Sequence, residues 1–249
     1  MDYLELLVDF HLNNYRQGPG SKEATLKALS FIPKNDKEKI KIADIGCGSG
    51  QQTIDLAKNT NSQIAAVDLF PRFLDKLNYI SKELGLSNRI KTVCESMENL
   101  SFKKESLDMI WSEGAIYNMG FKNGLQQWRK FLKKGGFMAV SEICWIRPNR
   151  PKKLCDFWNK AYSGMDSFSN KIQVVEECGF APLGAFVLPQ ECWVNNYYEP
   201  SLKQIPDFLQ RHNNSDEAKA TVKEHMEEME MYVKYRDYYS YGFFIGTKI

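Results

Sequence analysis

The chain has 249 residues, of which 43% are hydrophobic, 26% charged and 13% aromatic, enough to bury a core in one large domain and too apolar for intrinsic disorder. Lysine plus arginine numbers 33 against 31 acids, a net charge of +2, which argues against a protein built mainly to hold nucleic acid or an anionic membrane. No run nears the roughly 18 apolar residues of a membrane helix, and the charges up to Phe10 are acidic, so the expectation is a cytoplasmic protein.

Residues 3 to 15 set Leu4, Leu7, Val8 and His11 at helical spacing. The breaker Arg16-Gln17-Gly18-Pro19-Gly20 follows, and Ser21 caps a second helix that ends near Pro33. Residues 40–45 form a short strand, succeeded at once by Gly46-Cys47-Gly48-Ser49-Gly50 and a helix over 51–58. A strand over 63–68, a helix over 71–84 and strands over 89–94 and 107–111 come next. A helix over 124–132 closes on Lys133-Lys134-Gly135-Gly136, and a fifth strand covers 136–143. The alternation predicts a parallel, doubly wound sheet. A helix over 170–178, a strand over 183–188 and an aromatic strand over 239–246 complete the chain. Between those last two strands lies a long insertion, 189–237, in which Lys223 to Glu228 reads as a solvated helix face.

The six cysteines form no C-x-x-C pair, and His11, His212 and His225 fall near none of them, so no metal site is expected. The central signal is Asp44-x-Gly46-x-Gly48-x-Gly50 between a strand and a helix. Glycines there permit a tight turn and close approach of a ligand, at the carboxyl ends of the strands where open α/β sheets bind. A dinucleotide and S-adenosylmethionine compete for such a loop. A dinucleotide fingerprint wants a small residue where Gln51 stands, and its domain often begins with the first strand, whereas two helices precede this one. Asp68 ends the second strand eighteen residues past Gly50, and its carboxylate suits the ribose of either ligand.

Four motifs stand in order: Ala43 to Gly50, Val67-Asp68-Leu69, Leu107 to Glu113, and Leu132 to Gly136. On these, residues 40–143 resemble the class I S-adenosylmethionine-dependent methyltransferases. The nearest look is to the small-molecule branch with the quinone-biosynthesis, methyltransferase type 11-like enzymes. Arg16 to Gly20 and Glu113-Gly114-Ala115-Ile116-Tyr117-Asn118 add a likeness to a bacterial subgroup. The resemblance implies a Rossmann-like α/β fold: a mostly parallel seven-stranded sheet with an antiparallel last strand, N-terminal helices and a helical insertion before the last strand. One domain over 1–249 is expected, with a cap at 1–39, a cofactor-binding core at 40–143, a connector or lid at 144–169 and an insertion over the substrate site at 189–237.

The resemblance also implies the site. Gly46, Cys47, Gly48 and Gly50 would lie against the methionine part of S-adenosylmethionine, with Asp44, Gln52 and Thr53 in support. Asp44 has a rival role as a cap of the following helix. Asp68 would hold the ribose, and Leu69 would pack on adenine. Ser96 or Glu95 stands where an Asp is usual, and Met97 would offer a backbone N–H. Arg16 would pair the cofactor carboxylate, with Tyr15 beside it, and Glu113 would border the methyl end. Direct displacement needs alignment more than a covalent nucleophile, and alignment is worth on the order of 7–11 kcal/mol in good intramolecular reactions. A general base is needed only if the acceptor must lose a proton; the candidates, in falling order, are Glu113, Tyr15, Tyr117 and His11. Trp145, Trp193 and Tyr197 lie in the added segments and are read as walls of a small-molecule pocket, though aromatics more often build core. Ser112-Glu113-Gly114-Ala115 has neither an Asp/Asn-Pro-Pro-aromatic nor a Pro-Cys motif, which opposes a nucleic-acid acceptor. The remaining rival is a non-catalytic S-adenosylmethionine-binding module.

Overall fold

The computed structural model describes residues 3–33 and 39–249; the expected boundary of the N-terminal cap falls partly outside them. Helices α1 (Tyr3–Leu12) and α2 (Lys22–Ser30) precede the sheet, and the Ser21 hydroxyl caps α2 by accepting from the Ala24 N–H at 3.0 Å. The alternation then runs β1 (Ile40–Ile45), α3 (Gln51–Asn59), β2 (Ser62–Asp68), α4 (Pro71–Glu83), β3 (Ile90–Cys94), β4 (Leu107–Glu113), α5 (Phe121–Arg129) and β5 (Leu132–Trp145). It ends with α6 (Lys152–Ala161), α7 (Phe168–Glu177), β6 (Phe180–Val187), α8 (Glu199–Arg211), α9 (Asp216–Tyr235) and β7 (Tyr239–Lys248).

The seven strands lie in the order β3-β2-β1-β4-β5-β7-β6, with β7 antiparallel to both β5 and β6. Both faces are covered, so the inner strands are apolar on both sides. Ile42, Met109 and Trp111 pack to one face, and Ala43, Ile45 and Ile110 to the other. The chain leaves β1 toward β2 and β3, then returns to place β4 on the other flank of β1. Strand order therefore reverses beside β1, and the crevice above its carboxyl end is where this architecture receives ligands.

Residues 132–136 do not end a helix. α5 stops at Arg129, and Leu132 already pairs with Leu107 in β5; a register shift before Met109 absorbs the left-handed Gly135 (φ 73°). Pairing with β4 outweighs the local helix-stop signal. α8 follows a π-helical turn, Val194–Tyr198, and carries Pro206 inside it, which hides it from a helical reading of the sequence.

α8 and α9 pack behind α1, where Leu6 and Phe10 meet Phe208 and Ala218. Asp9 of α1 accepts from Arg72 at 2.5 Å, from Arg211 at 2.8 Å and from His212 at 3.0 Å, tying α1 to α4 and α8. Trp193 is a core residue rather than a pocket wall. The Trp193 ring stacks on Tyr232 at 4.2 Å and its indole N–H donates to Ser240 at 3.0 Å. Tyr197 is 6% exposed and stacks on His11 at 5.9 Å. Trp145 is also buried, with its edge on Tyr239 and the Arg150 guanidinium over its ring. Among the described residues, no helix is long and apolar enough to cross a membrane.

Candidate active site

The glycine loop turns from β1 into α3 through three left-handed residues, Gly46 (φ 73°), Gly48 (φ 54°) and Gly50 (φ 82°). Space as well as backbone requires two of them. A Cβ on Gly46 would stand 2.3 Å from the Ala115 Cβ, and one on Gly48 2.3 Å from the Gln17 Oε1. The loop is anchored from below, because the N–H groups of Gly46 and Cys47 donate to the Val67 carbonyl at 2.8 and 2.9 Å. Gln52 donates to the Cys47 carbonyl at 3.0 Å.

Asp44 lies beneath the loop, fully buried and outside the cavity wall. Thr53 donates to its Oδ2 at 2.5 Å, and its Oδ1 has no partner. Burial pushes its carboxyl from 3.8 up to about 7, against the Thr53 hydrogen bond. The folded state therefore holds this proton more tightly than the unfolded chain. Its contribution to stability is full below about pH 4 and is lost as the pH rises through about 7. Asp44→Asn is expected to gain at least about 1 kcal/mol relative to wild type between pH 5 and pH 8, read from urea unfolding at both values. A pH-independent difference between the two proteins would contradict that assignment.

Asp68 ends β2 with its carboxylate already aimed: the Gly48 N–H donates to Oδ2 at 2.8 Å and the Phe70 N–H to Oδ1 at 3.0 Å. Leu69 beside it is 55% exposed, into the same cavity. In the loop after β3, Glu95 turns away to accept from the Ser101 N–H at 3.0 Å and its hydroxyl at 2.6 Å. Ser96 and Met97 line the cavity, and the Met97 carbonyl is held by the Trp128 indole at 3.0 Å.

The N-terminal segment closes over this platform. Gln17, which the sequence offered only as part of a breaker, is the clamp. Its Oε1 accepts from the Ser49 N–H at 2.8 Å, and its Nε2 donates to the Ser49 hydroxyl at 2.9 Å. Arg16 is 5% exposed and donates to Glu113 at 2.7 Å, Thr25 at 3.2 Å and Asp55 at 3.4 Å. Glu113 is engaged at both oxygens, since Oε1 also accepts from Thr25 at 2.7 Å and from the Trp111 indole at 2.9 Å. It braces the N-terminal segment against β4. Tyr15 is 65% exposed and stands outside the cavity. Of the base candidates, Glu113, Tyr117 and His11 line the cavity. Burial lowers the His11 pKa to about 3, which keeps the ring neutral, and raises that of the Tyr117 hydroxyl.

These elements enclose one cavity of about 620 Å³. Leu4, Leu7 and Val8 of α1 form an apolar roof opposite Leu69 and Phe73. Asp68, Glu95, Glu98 and Glu113 line it against the single cation Arg16, itself paired with Glu113. That surplus of acid fits a sulfonium with an ammonium group and opposes the pyrophosphate of a dinucleotide. The volume and the Cβ-free cradle at Gly48 fit S-adenosylmethionine. Among the described residues, no group of three or more His, Cys, Asp or Glu side chains is placed to hold a metal.

Residues 42–136 match the family described as "Methyltransferase domain". The sterol 24-C-methyltransferase of Candida albicans is 24% identical over 183 residues, 69% of this chain and 48% of that protein. The chain spans about half the length of the curated relatives it matches. An S-adenosylmethionine-dependent methyltransferase from Geobacter sulfurreducens, in complex with S-adenosylhomocysteine, superimposes with a TM-score of 0.83 at 17% identity, covering 98% of both chains. YjhP from E. coli superimposes with a TM-score of 0.86 at 18% identity, covering 98% of this chain and 100% of that one. At such identities the likeness shows the fold, while the matched family region contains the glycine loop, Asp68 and the motif ending in Glu113. Residues 42–136 are a methyltransferase domain, and the whole chain has the fold of S-adenosylmethionine-dependent methyltransferase structures.

Proposed function

We propose that the protein transfers the methyl group of S-adenosylmethionine to a small-molecule acceptor by direct displacement within this cavity. The observation that carries the reading is a single cavity joining the glycine loop and Asp68 to His11 and Tyr117 beneath α1. In this reading Asp68 takes the ribose, Leu69 and Met97 flank the adenine, and the loop from Gly46 to Gly50 carries the methionine portion. When bound, S-adenosylmethionine supplies an electrophilic methyl carbon, whose bond to sulfur breaks with the electron pair going to sulfur. The protein aligns the acceptor with that carbon and keeps water out, under the roof of α1 and the Gln17 clamp. His11, neutral by burial, and Tyr117 are the groups at hand for an acceptor proton. The low roof supports a metabolite-sized acceptor over a duplex or a folded protein.

Asp68→Ala is expected to weaken S-adenosylhomocysteine binding by about 1.5–3 kcal/mol, roughly ten- to a hundredfold, as read by calorimetry. An unchanged dissociation constant would remove Asp68 from the site. Release of S-adenosylhomocysteine on incubation with S-adenosylmethionine and fractionated metabolite extracts tests turnover. Tight cofactor binding with no release from any fraction would favour the non-catalytic module.

A further inference from the structure

We propose that the acceptor carries a cationic group, a protonated or quaternary amine separate from the nucleophilic atom that takes the methyl, and that Glu228, among tyrosine rings on the inner side of the cofactor cavity, holds that cation; this rests on the methyl-transfer reading above. The rings begin at the cavity wall. His11 and Tyr117 line the cavity, and the His11 ring stacks on Tyr197 at 5.9 Å. Tyr197 meets Tyr198 at 5.0 Å, and the Tyr198 hydroxyl donates to the Glu228 carboxylate at 3.0 Å. On the neighbouring wall, the Tyr241 ring lies 3.7 Å from where a Cβ of Gly114 would stand, and Gly114 lines the cavity.

Glu228 does not sit on a solvated face, as its charge run suggested. It is half-buried among these rings. No lysine, arginine or histidine among the described residues forms an ion pair with it. The two neighbouring histidines do not supply the missing charge. Burial pushes His225 down to about 4 and His11 to about 3, so both are neutral at pH 7. His225, one turn before Glu228 on α9, also leaves its buried Nε2 without a partner. Burial raises the Glu228 carboxyl, against the Tyr198 hydrogen bond, so a cation beside it would favour its ionised form.

A half-buried carboxylate without a counter-ion, beside ring faces that carry negative potential, is a site for a cation. An anionic acceptor would be repelled, and a neutral one would gain at most a hydrogen bond from Glu228. The other deep carboxylate, Glu142, already has a counter-ion in Lys171 at 3.1 Å, with the Tyr162 hydroxyl at 2.6 Å on the same oxygen; its Oε2 has no partner.

The test uses protein saturated with S-adenosylhomocysteine and two probes of equal shape, choline and 3,3-dimethyl-1-butanol. Calorimetry is expected to show choline binding at least about tenfold more tightly than its neutral isostere. Glu228→Gln is expected to erase that preference and leave S-adenosylhomocysteine affinity unchanged. Equal binding of the two probes to wild type, or no choline binding at all, would overturn the proposal without touching the cofactor site. Failure of S-adenosylhomocysteine to bind in the first titration would instead bring down the methyl-transfer reading and this inference with it.

Discussion

Replacing Arg16 by Met is expected to destabilise the protein by about 3–5 kcal/mol, because it leaves two buried acids without their shared cation. Arg16 reaches Glu113 of β4, Asp55 of α3 and Thr25 of α2 at once, and it and its acids have side-chain exposures of only 5–6%. Burial already raises the Asp55 carboxyl, and the Arg16 charge works against that rise. Without the guanidinium, either acid must take a proton or drag in water. For a chain of this size a loss of that magnitude lowers the melting temperature by on the order of 10 °C. Arg16→Lys is expected to recover only a fraction, since one ammonium cannot reproduce a planar fork reaching three partners. A melting temperature within about 2 °C of wild type for Arg16→Met would show the network to be idle.

Trp193→Ala is expected to cost about 3–5 kcal/mol in urea unfolding, as large core aromatics do. The ring fills the space between Tyr232, Tyr241 and Tyr239, at centroid distances of 4.2, 5.4 and 6.0 Å, and its N–H would leave the buried Ser240 hydroxyl without that donor. S-adenosylhomocysteine affinity measured on the folded protein should remain within about twofold of wild type, because Trp193 does not touch the cavity that holds the glycine loop. A stable variant with impaired turnover would restore the lid role that the sequence had suggested for this residue.

The contrast between these two residues shows what was legible beforehand. The sheet from β1 to β5, the glycine loop and Asp68 were readable because local patterns suffice: apolar runs of strand length, glycines at a strand-to-helix turn, an acid at the end of the next strand. The clamp by Gln17 was not, because its partner Ser49 is 32 residues away and nothing local to Gly18-Pro19 betrays which side chain reaches across. Glu113 lines the cavity, but its bonds to Arg16 and Thr25 could not be read beforehand, because those partners lie 97 and 88 residues away. Aromatic density in Trp193 to Tyr198 gave no means of choosing core over pocket, since both want large rings. The same ambiguity hid Glu228, whose neighbours along the helix are solvated while its own carboxylate meets Tyr198.

The central claim is that the cavity beneath α1 holds S-adenosylmethionine with its ribose on Asp68 and leaves room for an acceptor beside His11 and Tyr117. A crystal structure of the complex with S-adenosylhomocysteine tests it most directly. The account predicts both ribose hydroxyls within hydrogen-bond distance of the Asp68 carboxylate, the adenine against Leu69, and open space between the sulfur and the rings of His11 and Tyr117. Ligand bound elsewhere on the sheet, or in this cavity with Asp68 still bonded only to the Gly48 and Phe70 amides, would contradict it.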